Sequence, residues 1–236
     1  MLNAFFIDPN NLRGKSFRLD AKESHHVSKV FRLGPGNMIS LLDGEGFGYH
    51  GIIEKEEDGI ISGRIEKAIE HLGENKNSII IAPAILKRDR FEFLIEKATE
   101  LGVKEIQPLL TQRCIKRSIN IERCRKIILS SSKQCQRSDF PIIYEPMEII
   151  GWLSKPKKQC FAGMMGAEDR LTNFNYNKKT PVSILIGPEG DFSNKELEQM
   201  DTAGVKLFSL GNRRLRAETA AQASLSILNE LSLIHI

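Results

Sequence analysis

The spacing of apolar positions changes character about a third of the way along the chain. Up to residue 72 the apolar runs are short and separated by turn residues: Phe17-Arg18-Leu19, Met38 to Leu42, Tyr49 to Ile53 and Gly59 to Ile65. Gly34-Pro35-Gly36-Asn37, Asp43-Gly44-Glu45-Gly46 and Glu57-Asp58-Gly59 punctuate them. Closely spaced short strands of this kind predict a small β-barrel. One helix is expected inside it, from Ala21 to Phe31. The polar stretch His71 to Asn77 reads as a linker.

Beyond the linker, continuous apolar strands alternate with amphipathic helices. Ser78 to Ala82, Ile106 to Leu110, Gln159 to Gly163, Val182 to Ile186 and Lys206 to Leu210 read as strands covered on both faces. Asp89 to Leu101 reads as a helix with Phe91, Leu94, Ile95, Ala98 and Leu101 on one face and Glu92, Glu96 and Glu100 on another. Gly102 stands where a left-handed cap is wanted, and Ser193-x-x-Glu196 has the form of a capping box. The alternation predicts an α/β fold with a mostly parallel sheet. The expected division is 1–72 and 73–236.

Composition adds little to that picture until charge is mapped. The 236 residues are 41% hydrophobic with a net charge of +4. No apolar run approaches the roughly 20 residues of a membrane helix, and the N-terminus lacks signal-peptide character, so a cytoplasmic protein with no membrane partner is expected. Cys114, Cys124, Cys135 and Cys160 form no Cys-x-x-Cys pair, so no metal site is expected. Residues 1–72 hold 9 Lys/Arg against 11 Asp/Glu, and the remainder 25 against 19. From Arg113 to Arg137 there are eight basic residues and one acid, Glu122. A run of this kind is a solvated helix face or a phosphate-contacting surface.

The chemistry concentrates near the C-terminus. Ile186-Gly187-Pro188-Glu189-Gly190 follows one buried strand, and Leu210-Gly211-Asn212-Arg213-Arg214-Leu215-Arg216-Ala217-Glu218-Thr219-Ala220 follows another. Ligands of open α/β sheets sit beyond the carboxyl ends of the strands, where both loops must lie. Neither loop has Walker A or dinucleotide-fingerprint spacing. Three guanidiniums within four residues at the end of a buried strand call for anionic partners, either a ligand or internal carboxylates.

These two segments resemble the 16S ribosomal RNA uridine-N3 methyltransferase family (RsmE type) of the knotted SPOUT superfamily. The motif Glu96 to Val103, the segments Thr111-Gln112-Arg113 and Gln134 to Pro141, and His25-His26-x-x-x-Val30-x-Arg32-Leu33 resemble further signatures of the family in the same order. The chain departs from the pattern at Asp191, where a second Gly is usual, at Lys133, where Glu is usual, and at Arg214, where an aliphatic residue is usual. It also lacks an Arg before Phe5.

The resemblance implies a small PUA-like β-barrel domain followed by a SPOUT-type parallel sheet with a C-terminal trefoil knot, which chain-connection rules alone would not choose. It implies a homodimer, S-adenosylmethionine as cofactor, and 16S ribosomal RNA or the small ribosomal subunit as partner. Methyl transfer to N3 of a uridine follows, with Arg216 facing the base and Glu218 and Glu189 orienting it or taking the proton. Met164, Ile186, Gly187, Pro188, Gly190, Leu210, Gly211, Leu215 and Arg216 would hold the cofactor. His25, His26, Arg32, Arg113, Arg117, Arg123 and Arg137 would contact RNA. Ribose 2′-O methylation and a non-catalytic assembly role are the alternative readings.

Overall fold

The structure is a computed structural model that describes residues 2–75, 77–155, 159–177 and 179–233. The expected linker therefore includes one residue, Lys76, outside the described set. The chain divides into two compact units. One comprises everything up to Glu74 together with Leu129–Phe140; the other comprises Asn75–Ile128 and the chain from Pro141 onward.

In the first unit, strands β1 (Ala4–Phe6), β2 (Leu12–Arg13), β3 (Ser16–Arg18), β4 (Met38–Leu42), β5 (Phe47–Glu57) and β6 (Ile60–Glu70) form one sheet in the order β1-β4-β5-β6-β3-β2. All neighbours are antiparallel except β1 and β4. Inward residues alternate along the strands and gather Phe5, Ile7, Phe17, Leu19, Val27, Ile39, Leu41, Ile53 and Ile61 into one buried core. The Phe17 ring lies where two side chains are missing. A Cβ at Gly63 would come 2.0 Å from the Ile52 carbonyl and 2.8 Å from that ring, and a Cβ at Gly51 would also meet it at 2.8 Å.

The expected helix begins as α1 (Ala21–His25), capped by Asp20, whose carboxylate accepts from the Glu23 N–H at 2.7 Å. It then widens into π turns over His26–Val30, with the Phe31 N–H bonded to the His26 carbonyl at 3.0 Å.

Residues Leu129–Phe140 were expected in the second domain and group with the first unit. Their contacts explain why. Lys133 donates to both oxygens of the buried Glu23 carboxylate, at 2.8 and 3.1 Å. The Gln136 amide donates to the Leu2 carbonyl, and the Phe140 ring lies 6.0 Å from that of Phe6. The departure at Lys133 is thus one half of a buried ion pair.

In the second unit, β7 (Ile79–Pro83), β8 (Glu105–Ile106), β10 (Ile142–Ile143), β12 (Gln159–Gly163), β13 (Val182–Ile186) and β14 (Lys206–Phe208) form a wholly parallel sheet in the order β10-β8-β7-β13-β12-β14. Every residue of β13 is buried, as its unbroken apolar run requires. The single strand expected over Ile106–Leu110 is broken in two. Pro108 cannot donate to a ladder, and β9 (Leu109–Leu110) leaves to pair with β11 (Met147–Glu148) in a separate two-stranded sheet.

Ala82, Leu185 and Ala162 point to one face of the sheet, where they share a core with Trp152 of α4 (Ile149–Leu153) and Met200 of α5 (Asn194–Thr202). Helices α2 (Arg88–Glu100) and α6 (Ala217–Leu233) pack on each other, and α6 packs on β7 and β13. Helix α3 (Ile121–Cys135) spans the division between the units at Ile128.

The helix ends follow the sequence signals. The Ser193 hydroxyl and the Glu196 carboxylate cap each other's backbone N–H groups at the start of α5. Gly102 adopts φ 81°, and a side chain there would collide with the Asn75 amide. That amide and the Asn229 amide both donate to the Leu101 carbonyl, which joins the end of α2 to α6.

Candidate active site

The parallel ladder ends in register. Gly163 pairs with Ile186 and with Phe208, and Ile186 pairs with Pro83. Four adjacent strands therefore finish at one level, and the loops that leave them enclose a cavity of about 530 Å³. Met164 and Met165 follow β12; Gly187, Pro188, Glu189 and Asp191 follow β13; Leu210, Gly211, Arg213, Arg214, Leu215 and Arg216 follow β14. Ile186, Phe208, Ala217 and Ala220 complete an apolar wall, and Arg90 enters from the first turn of α2.

Of the residues expected to hold a cofactor, Met164, Ile186, Gly187, Pro188, Leu210, Gly211, Leu215 and Arg216 line this cavity. Gly190 does not; its carbonyl instead accepts from the Arg113 guanidinium at 2.6 Å. The same Arg113 nitrogen donates to the Phe192 carbonyl at 3.2 Å, so Arg113 braces the β13 loop from behind. A second brace comes from Arg214, which donates to the Glu189 carbonyl at 2.7 Å and links the two loops.

Asp191 sits at φ 63°, in the left-handed region. A backbone that demands this conformation favours Gly, which accounts for the residue usual at that position. Asp tolerates it better than most residues, and its carboxylate accepts from the following N–H, of Phe192, at 2.8 Å.

The arginines and carboxylates sort themselves differently from the expected pairing. Glu189 accepts from the Arg90 guanidinium at 2.9 Å, and Glu218 faces the same guanidinium at 3.6 Å. Arg90, not Arg216, is the cation shared by the two carboxylates. No local sequence signal marks Arg90, because the pattern of its helix is set by the apolar face. Glu218, in the first turn of α6, is 8% exposed, and its second oxygen has no hydrogen-bond partner among the described residues. The Arg213 and Arg216 side chains are exposed and make no ion pair or hydrogen bond among the described residues.

The basic stretch divides by burial. Arg137 is 1% exposed and bound through two nitrogens to the Glu74 carboxylate, each at 2.9 Å. It is enclosed by the first unit, so the expectation of a phosphate contact there does not hold. Arg117 pairs with Glu148, and Arg123 with Glu92, both arginines on the surface. The hydrogen bond that Arg123 donates to the Glu92 carboxylate raises the Arg123 pKa above its ordinary value, so its charge is secure. Burial pushes the neighbouring Cys124 thiol up, which keeps it neutral and unreactive.

In the first unit His25 is exposed, and the His26 ring meets those of Phe5 and Phe31 edge-on, at 5.9 and 5.0 Å. Arg32 is exposed at φ 55°. Among the described residues no group of three His, Cys, Asp or Glu side chains could hold a metal ion, and no helix is long and apolar enough to cross a membrane.

Residues 73–229 match the model of an RNA methyltransferase domain, and residues 19–66 match that of an RNA methyltransferase PUA domain. A ribosomal RNA small subunit methyltransferase E from Rickettsia conorii is 32% identical over 84% of this chain and 82% of its own. The chain belongs to the ribosomal RNA small subunit methyltransferase E family. A relative of the same name from Mesomycoplasma hyopneumoniae is 35% identical over 66% of this chain and 71% of its own. The solved structure of the Neisseria gonorrhoeae methyltransferase E, bound to S-adenosyl methionine, superposes with a TM-score of 0.88 at 25% identity and covers 98% of both chains. The parallel sheet is therefore the methyltransferase domain, the first sheet is the PUA-like domain, and the cavity lies at the carboxyl edge of the former.

Proposed function

We propose that this methyltransferase moves a methyl group from S-adenosylmethionine to N3 of a specific uridine in 16S ribosomal RNA. The observation that supports the reading is the convergence of three loops from in-register strand ends on one cavity, lined also by Arg216, whose side chain makes no ion pair among the described residues. Family membership supplies the reaction class.

The cavity suits the methyl donor. Ile186, Phe208, Leu210 and Leu215 offer apolar surface for an adenine ring, and Gly163, Gly187 and Gly211 present backbone where a side chain would intrude. Gly211, at φ 114°, holds a conformation that strains any other residue. Bound there, the donor supplies an electrophilic methyl on a sulfonium.

The chain's own residues do the rest. The loops hold donor and base in line and exclude water. As the uracil N3–H is lost, negative charge spreads onto its two carbonyl oxygens, and in this reading the Arg216 guanidinium, which lines the cavity, stabilises it. One well-placed donor of this kind contributes about 2.7–4 kcal/mol to the transition state. Glu218 or Glu189 accepts the proton.

The uridine must be unpaired or turned out of its stack for N3 to be reached. His25, His26 and Arg32 of the PUA-like domain grip flanking RNA in this reading. Arg117 and Arg123 exchange their carboxylates for phosphates, since exposed ion pairs are worth only about 0–1 kcal/mol. The enzyme acts in the cytoplasm as a homodimer, with α6 threaded in the trefoil knot of its superfamily.

Mass spectrometry of small-subunit RNA from a strain deleted for this chain tests the reading. One N3-methyluridine should disappear, return with the intact chain and stay absent with Arg216→Ala. Loss of a ribose methyl instead would favour the 2′-O reading, and no loss would favour an assembly role.

A further inference from the structure

We infer that Arg90 is a positioning residue for methyl transfer, the cation that holds both active-site carboxylates while leaving Arg216 to the base. The inference rests on the proposed reaction and deepens it. Its basis is the division of contacts around the β13 loop. The backbone of that loop is held without Arg90: Arg113 binds the Gly190 and Phe192 carbonyls, and Arg214 binds the Glu189 carbonyl. Among the described residues the carboxylate side chains are held from α2. Arg90 Nη1 lies 2.9 Å from Glu189 Oε1, and Arg90 Nε lies 3.6 Å from Glu218 Oε1.

Topology puts it there. The Ala84 N–H donates to the Ile186 carbonyl, so the chain leaving β7 runs beside the start of the β13 loop before it enters α2. A guanidinium can span two carboxylates because its nitrogens point in different fixed directions, whereas an ammonium is a single point. Arg90 also lines the cavity, with its side chain one-third exposed. The second Glu218 oxygen, buried and without a partner among the described residues, stays available for a donor arriving with the substrate. Held this way, Glu189 and Glu218 are biased toward Arg90 and away from Arg216.

The test uses the full-length protein with Arg90→Lys and Arg90→Ala. Four quantities are read on each: cofactor affinity by calorimetry, melting temperature, kcat, and KM for small-subunit RNA. Because the loop backbone is braced elsewhere, cofactor affinity should stay within about threefold of the parent. Turnover should fall at least tenfold for both variants, since one carboxylate stays unpaired even with Lys. A purely structural role predicts the opposite split, with cofactor affinity and melting temperature falling in step with turnover and Lys restoring all three. That split, or parental turnover in Arg90→Ala, overturns the inference. If the parent itself fails to methylate small-subunit RNA, the proposed reaction has failed instead, and the two failures are told apart by that control.

Discussion

Two arginine-rich regions of this chain look alike on paper and differ in the fold. The stretch from Arg113 to Arg137 is the more basic, yet most of its charge is bound within the protein. Arg137 grips Glu74 in the interior, Lys133 grips Glu23, and Arg113 is tied to two carbonyls of the β13 loop. The loop from Arg213 to Arg216 is shorter. Only Arg214 among its three arginines is bound to the protein, and Arg213 and Arg216 border the cavity with no partner among the described residues. The density of positive charge therefore does not locate the site. What locates it is arginine on a loop that leaves the carboxyl end of a buried strand.

The contrast is sharpest at Arg137. Arg137→Ala would strand the buried Glu74 carboxylate, and unpairing a buried ion pair costs about 3–5 kcal/mol. Denaturant unfolding should show that loss, with RNA affinity unchanged at temperatures where the variant stays folded. A stable variant that binds RNA weakly would put Arg137 back among the phosphate contacts.

A smaller effect is expected beside the cavity. Asp191→Ala keeps a side chain in a left-handed backbone and gives up the bond to the Phe192 N–H, while Asp191→Gly relieves the strain. The Gly variant should be the more stable of the two by about 1 kcal/mol. Equal melting temperatures would mean that the loop backbone relaxes once the carboxylate is gone.

The gentlest test falls on the surface pairs of the basic stretch. Arg117→Glu and Arg123→Glu should each lower the salt slope of RNA binding by about 0.7, the value of one phosphate contact on a single strand. Neither reversal should change cofactor binding, and unchanged slopes would assign these arginines wholly to Glu148 and Glu92.

Much of this was legible in the sequence, for identifiable reasons. The strand β13 and the capping box at Ser193 are local patterns, and they fold as read. So are the two loops whose backbone encloses the cavity. Pro108 should have warned that Ile106–Leu110 is two strands, because a residue without an N–H interrupts a ladder. The rest depends on distant pairings. Nothing in the local pattern near Lys133 announces Glu23, 110 residues earlier, or shows that Arg137 is enclosed. Arg90 was hidden for the same reason, since its partners lie 99 residues away at Glu189 and further still at Glu218.

Arg216 carries the central claim, and one paired measurement tests it directly. Cofactor affinity and single-turnover methyl transfer are measured on the same preparation of Arg216→Lys and Arg216→Ala, with small-subunit RNA as acceptor. Loss of a donor that acts chiefly in the transition state predicts cofactor affinity within about threefold of the parent and transfer slowed about 100- to 1,000-fold in the Ala variant. The Lys variant should fall clearly below the parent. Normal transfer by Arg216→Lys with unchanged cofactor binding would contradict the claim and leave Arg216 as an ordinary surface arginine.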